Sequence, residues 1–163
     1  MEGEASIFQC LHDWLGGSAG RAYGISALQA EAGWTRFAAR PMAEHFNPLG
    51  TVHGGYTATL FDAALGLAVY SAAGSDVVHV TAKLEVTYLR PIEAQVLPLS
   101  VEARLLRREG RAVLADATLR DCHGRLCAQA SARFVQPGSA PGVDQGAAPG
   151  LQTGGSSSLE SAS

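Results

Sequence analysis

The chain has 163 residues, 47% of them apolar, and a formal net charge of −3 at pH 7. That is room for one domain with a substantial core, and so small a charge leaves no basic footprint for nucleic acid or anionic lipid. The longest apolar run falls short of the roughly 20 residues that span a bilayer. The N-terminus lacks the basic start, apolar stretch and cleavage site of a signal peptide, so the expected location is cytoplasmic.

In chain order, residues 7–15 (I-F-Q-C-L-H-D-W-L) carry apolar groups at helical spacing and stop at Gly16-Gly17. They predict a short amphipathic helix that docks on the domain or on a partner subunit. Residues 23–41 read as two strands broken near Gly33. A turn over residues 47–55 (N-P-L-G-T-V-H-G-G) leads into residues 56–73, a nearly all-apolar run whose one carboxylate is Asp62. A helix with no polar face is expected to be buried on all sides. A carboxylate inside it must be paired, hydrogen-bonded or protonated, because an isolated buried charge is too costly to keep. Asp62 is therefore the first catalytic candidate.

The second half predicts strands. Over residues 77–89, Val80, Ala82, Leu84, Val86 and Tyr88 alternate with Thr81, Lys83, Glu85 and Thr87, the period of a half-covered strand. Arg90-Pro91 ends it, since proline has no ladder donor. Residues 96–107, 112–121 and 125–135 predict three more strands, with turns at Glu109-Gly110 and over 121–124. Beyond residue 135, Gly, Ser, Ala, Pro and Gln dominate, a composition that does not offset its ordering entropy. Residues 5–136 are expected to form the domain and 137–163 a disordered tail. Cys10, Cys122 and Cys127 are an odd number without zinc-like spacing, which fits reduced thiols and no metal site. One apolar helix and five to six antiparallel strands predict an α+β fold in which a sheet covers a central helix.

The run N-P-L-G-T-V-H-G-G, continued by T-L-F-D-A-A-L-G-L-A and then by V-T-Y-L-R-P and L-R-D-C-H-G-R-L-C-A-Q, resembles the hotdog-fold acyl-coenzyme A thioesterases. More narrowly, it is similar to their phenylacetate-pathway and 4-hydroxybenzoyl-CoA thioesterase branch, over about residues 23–135. The resemblance implies a long central helix wrapped by a curved antiparallel sheet, with sites at a homodimer interface and dimers that often pair into tetramers. It implies an acyl-CoA substrate and no metal or organic cofactor. Gly54 matches the backbone donor to the thioester carbonyl oxygen, and Asp62 the acid that acts as nucleophile or general base. His53 and Asn47 match residues that line the site and orient thioester or water. Thr81 falls where some members have a hydroxyl reaching in from the other subunit. Gly55, Phe61, Leu65 and Val69 are expected around the acyl group, and Arg90 near the coenzyme A phosphates. At Gly66, one turn after the acid, some relatives have a threonine that helps hold water. Here either Thr81 takes that role or the pocket suits a bulkier acyl group.

These assignments have physical sense. The first N–H groups of a helix lack internal partners and lie at the positive end of its dipole, where a developing oxyanion is stabilised. Gly54 and Asp62 are eight residues apart, on the order of 12 Å along a helix axis. Both serve one site only if the Gly54 N–H comes from the partner or the substrate lies along the helix. His12, His45, His79 and His123 have no assigned partners and are expected at the surface or in turns. Two other readings stand beside hydrolysis. A hotdog dehydratase of hydroxyacyl thioesters would use His45 with Asp62, but the proline-glycine stretch of such enzymes is missing. A non-catalytic acyl-CoA-binding module would normally lack the helix acid.

Overall fold

The computed structural model describes residues 6–73 and 77–138. All of the expected tail except Pro137 and Gly138 lies outside the described residues. Helix α1 (Ile7–Gly16) starts at Ser6, whose hydroxyl accepts from the Gln9 N–H at 3.2 Å and satisfies one of the donors a helix start leaves open. It gives way at Gly17 to a short second helix, α2 (Ser18–Ala22), which the sequence did not suggest. Leu15 is buried while Trp14 is half exposed, and α1 rests on the long helix and the first strand.

Strands β1 (Ile25–Glu31) and β2 (Trp34–Ala39) form a hairpin that turns at Gly33, where φ is +76° and glycine carries no steric penalty. Helix α3 (Gly54–Ala73) begins two residues before the expected start. Then come β3 (Val80–Tyr88), β4 (Leu99–Glu109), β5 (Ala112–Arg120) and β6 (Leu126–Val135). The six strands make one antiparallel sheet in the order β1-β2-β4-β5-β6-β3, which leaves β3 at an edge.

α3 lies against the sheet and touches all six strands. Its residues Leu60, Phe61, Ala64, Leu65, Ala68 and Val69 are buried against inward-facing Phe37, Val101, Val113, Leu119 and Phe134. Burial alternates strictly along most of β6, where Ala128, Ala130 and Ala132 face the helix and their small size lets it come close.

Two expectations are corrected. α3 is not buried on all sides: Gly55 and Asp62 are exposed, and Thr59 and Gly66 half-buried. Spaced four, three and four residues apart, these four lie on one helical face, the one the chain's own sheet does not cover. The alternation of β3 also breaks. Thr81 pairs with Phe134 and Lys83 with Arg133, so Ala82 is the extra residue of a bulge. Beyond it Leu84 and Val86 face inward, while Val80 and Ala82 are exposed rather than on that face.

Candidate active site

The site is built from the start of α3 outward. His53 precedes the helix and occupies the acceptor positions around it. Its carbonyl receives the Tyr56 N–H at 3.0 Å and the Thr57 N–H at 3.3 Å, and its Nδ1 receives the Gly55 N–H at 2.9 Å. Three of the four first-turn N–H groups are thereby satisfied. Only that of Gly54 has no acceptor among the described residues. Because Nδ1 accepts, the neutral imidazole carries its proton on Nε2, away from the helix.

The Gly54 backbone borders a cleft of about 350 Å³ walled by Val52, Thr57, Tyr88, Leu89, Ile92 and the Arg90-Pro91 pair. Arg90 is exposed and forms no ion pair among the described residues. The Tyr88 hydroxyl donates to the Gly54 carbonyl at 2.7 Å. Two turns along α3, the exposed Asp62 carboxylate accepts the Thr81 hydroxyl at 2.8 Å through Oδ1. Thr81 and Asp62 thus meet within one chain. The β3 bulge is the reason: it turns Thr81 out of the polar row of Lys83, Glu85 and Thr87 toward the helix.

Other candidates fall elsewhere. Asn47 holds its own loop: Oδ1 accepts the N–H groups of Leu49 at 2.9 Å and Thr51 at 3.3 Å, and Nδ2 donates to the Thr51 hydroxyl at 2.9 Å. That is turn chemistry, and it fixes the segment that leads to His53. Phe61, Leu65 and Val69 have no exposed surface and lie in the core between α3 and the sheet. They were expected as pocket walls; in this chain they pack among the core side chains. Gly55 lies on the uncovered stripe. Gly66 shares it, and a Cβ built there would meet nothing within 4 Å. His79, expected at the surface, is buried, its backbone N–H and carbonyl both engaged by the Tyr70 hydroxyl. His45 stacks on Tyr56 at 4.2 Å, and its Nδ1 accepts the Met42 N–H. Burial pushes the Tyr56 phenol up to about 12, so it stays a donor to the Tyr23 carbonyl and ties the end of α2 to the start of α3.

The residue missed in the sequence is Tyr88. Its signal was the Y-L-R-P run, which marked the strand end and carried part of the resemblance without assigning Tyr88 a role. Among the described residues no three His, Cys, Asp or Glu side chains gather as a metal site would require, and no helix is long and apolar enough to cross a membrane.

Residues 49–128 match the model of the Thioesterase superfamily. The conserved protein PA5202 from Pseudomonas aeruginosa is 25% identical over 74% of this chain and 94% of that one, with a TM-score of 0.67. The PaaI protein of the E. coli phenylacetic acid degradation operon is 20% identical over 78% and 90%, with a TM-score of 0.68. The smu.793 protein of Streptococcus mutans UA159, solved bound to acetyl CoA, is 22% identical over 70% and 87%, with a TM-score of 0.61. No curated protein matches in sequence. The architecture is the hotdog thioesterase fold, six antiparallel strands packed on one long helix.

Proposed function

We propose that this chain hydrolyses acyl-CoA thioesters to a free acid and coenzyme A. The observation that carries the reading is the pairing of functions on α3: a Gly54 N–H with no acceptor among the described residues, at a residue that borders a cleft, and an exposed carboxylate, Asp62, held by Thr81. The N–H polarises the thioester carbonyl and takes up the charge of the oxyanion. Asp62 either attacks the carbonyl carbon or draws a proton from the attacking water, and the thiolate then leaves. Thr81 occupies Oδ1 and leaves Oδ2 for that step. His53 presents Nε2–H beside the helix start, and Arg90, with no carboxylate of its own, meets the coenzyme A phosphates. The fold's occurrence with bound acetyl CoA in the Streptococcus mutans protein supports this ligand class.

Gly54 and Asp62 of one chain are on the order of 12 Å apart along the helix. A second copy supplies the complementary half of each site, in a homodimer or in dimers paired as a tetramer, located in the cytoplasm. Residues 5–136 form this unit and 137–163 a tail. We assign the acyl group to the aryl or medium-chain class and the chain to the phenylacetate-pathway and 4-hydroxybenzoyl-CoA branch.

The test is thiol release from phenylacetyl-, benzoyl- and straight-chain acyl-CoAs by the wild type and by Asp62→Ala. The substitution is expected to cost on the order of 10²-fold or more in kcat. Its melting temperature should hardly change, because the side chain is exposed. Turnover that survives the substitution places the chemistry elsewhere. Tight acyl-CoA binding without turnover by the wild type favours a binding module.

A further inference from the structure

A helix that opens with Gly54-Gly55 starts loosely, since glycine gives up more backbone freedom on folding than any other residue. Something must hold the Gly54 amide on line if it is to work as a preorganised donor, because a dipole that has to reorient during the reaction loses much of its effect. Two side chains reach this start. His53 takes the Gly55 N–H, as described. Tyr88, the last residue of β3, takes the other side: its hydroxyl donates to the Gly54 carbonyl at 2.7 Å, and its ring stands where a side chain at position 54 would project. A Cβ on Gly54 would lie 3.2 Å from both Cζ and Oη of Tyr88, closer than side chains normally tolerate. The same ring walls the cleft onto which Gly54 opens.

We infer that Tyr88 is a positioning residue that holds the first turn of α3 closed and with it the direction of the Gly54 N–H, and that its ring favours glycine at position 54. The inference rests on the thioesterase reading for its catalytic consequence but not for its geometry. The carbonyl of the preceding peptide, His53 to Gly54, is fixed by two N–H groups of the first turn. That carbonyl and the Gly54 N–H share one planar peptide, so the N–H keeps its direction as long as the first turn stays closed. Tyr88 keeps it closed by binding the carbonyl of the next peptide, Gly54 to Gly55, whose N–H His53 Nδ1 already holds. Strand β3 then controls both reactive groups, because Thr81 near its other end holds Asp62. Registering the carboxylate and the N–H on one strand keeps both aligned when the helix shifts.

The experiment compares wild type with Tyr88→Phe, which keeps the ring and deletes the hydroxyl. Two quantities are read: kcat and KM on the best acyl-CoA of the panel, and hydrogen exchange of the Gly55, Tyr56 and Thr57 amides in ¹⁵N-labelled protein, the three that are bonded at the helix start. Tyr88→Phe is expected to lower kcat about tenfold with KM within about twofold, the loss of one aligned hydrogen bond. Exchange at these three amides should accelerate several-fold while the amides of β5 and β6 keep their protection. Unchanged kcat and unchanged exchange overturn the proposal. A higher KM at constant kcat also overturns it, since Tyr88 would then be only a wall of the cleft. If the wild type hydrolyses nothing yet exchange at the helix start accelerates in Tyr88→Phe, the positioning role holds and the thioesterase reading is what fails.

Discussion

Asp62 and Asp121 show how differently one side chain can be used in a single domain. Asp62 is exposed and accepts one hydroxyl, so its second oxygen remains open to a substrate. The Asp121 side chain is only 1% exposed, and its acceptors are committed: Oδ1 takes the His123 and Arg125 N–H groups at 2.9 and 3.0 Å, and Oδ2 takes Arg125 Nε at 2.7 Å. Burial acts to raise the Asp121 carboxyl, but the Arg125 and His123 hydrogen bonds and the Arg125 charge outweigh it and hold it below the usual carboxylate range. A carboxyl depressed in the folded state stabilises the fold above its ordinary value, and that contribution is lost as pH falls through the lowered one. Asp121→Asn should therefore lower the melting temperature at neutral pH, with the gap to wild type narrowing in acid below the ordinary carboxylate range. Thermal melts of both proteins across that range check it; a gap independent of pH would mean the ion pair contributes nothing. In the sequence the rule that buried carboxylates need partners was sound but was applied to the wrong aspartate. Asp62 sits in the most apolar run of the chain, yet burial is decided by what covers a helix face, which composition does not reveal.

At the scale of elements, β3 shows where alternation misleads. The run from Val80 to Tyr88 alternates cleanly, and a regular strand would put Thr81 beside Lys83 and Glu85, away from α3. The bulge at Ala82 moves it to the helix side. An inserted residue flips every side chain on one side of it, and nothing in the residue types marks which one is extra. Removing Ala82 should restore regular pairing with β6 and turn Thr81 away from Asp62. The deletion is expected to lower kcat about tenfold, the scale of losing one orienting hydrogen bond. Thr81→Ala in the deletion background should then cost nothing more. Steady-state rates of the single and double variants, with circular dichroism to confirm the sheet, test this; full activity in the deletion would remove Thr81 from the site. By contrast, the hairpin at Gly33, the strands on either side of Glu109-Gly110 and the start of α3 near the His-Gly-Gly run were legible. Each depends on local backbone chemistry: a positive φ, a tight turn, or helix donors without partners. What was not legible was how side chains on different elements meet, as Tyr88 meets Gly54.

On the scale of the whole molecule, the two groups that the proposed site needs stand apart in one chain. Gly54 and Asp62 are on the order of 12 Å apart along α3, so both serve one thioester carbon only if a second chain, or a substrate laid along the helix, bridges them. The stripe Gly55, Thr59, Asp62 and Gly66 is left uncovered, and the edge strand β3 leaves Val80 and Tyr88 exposed beside it. A second copy related by a two-fold axis would place its Gly54 near this Asp62 and, by the same operation, its Asp62 near this Gly54. Asp62→Ala removes one half of both sites; Gly54→Ala keeps its N–H but impairs the other half, because its methyl group, 3.2 Å from Tyr88, shifts the helix start. Each variant alone should be strongly impaired. When the two are mixed and subunits exchange, a heterodimer has one site with both groups intact and one with neither. Random exchange makes about half of the dimers heterodimers, each with one of its two sites working, so about a quarter of wild-type activity should return. A substrate lying along the helix of one chain predicts no recovery, since every chain in the mixture carries a defect. The rate of the mixture, read against time after mixing, therefore decides whether the catalytic unit is one chain or two.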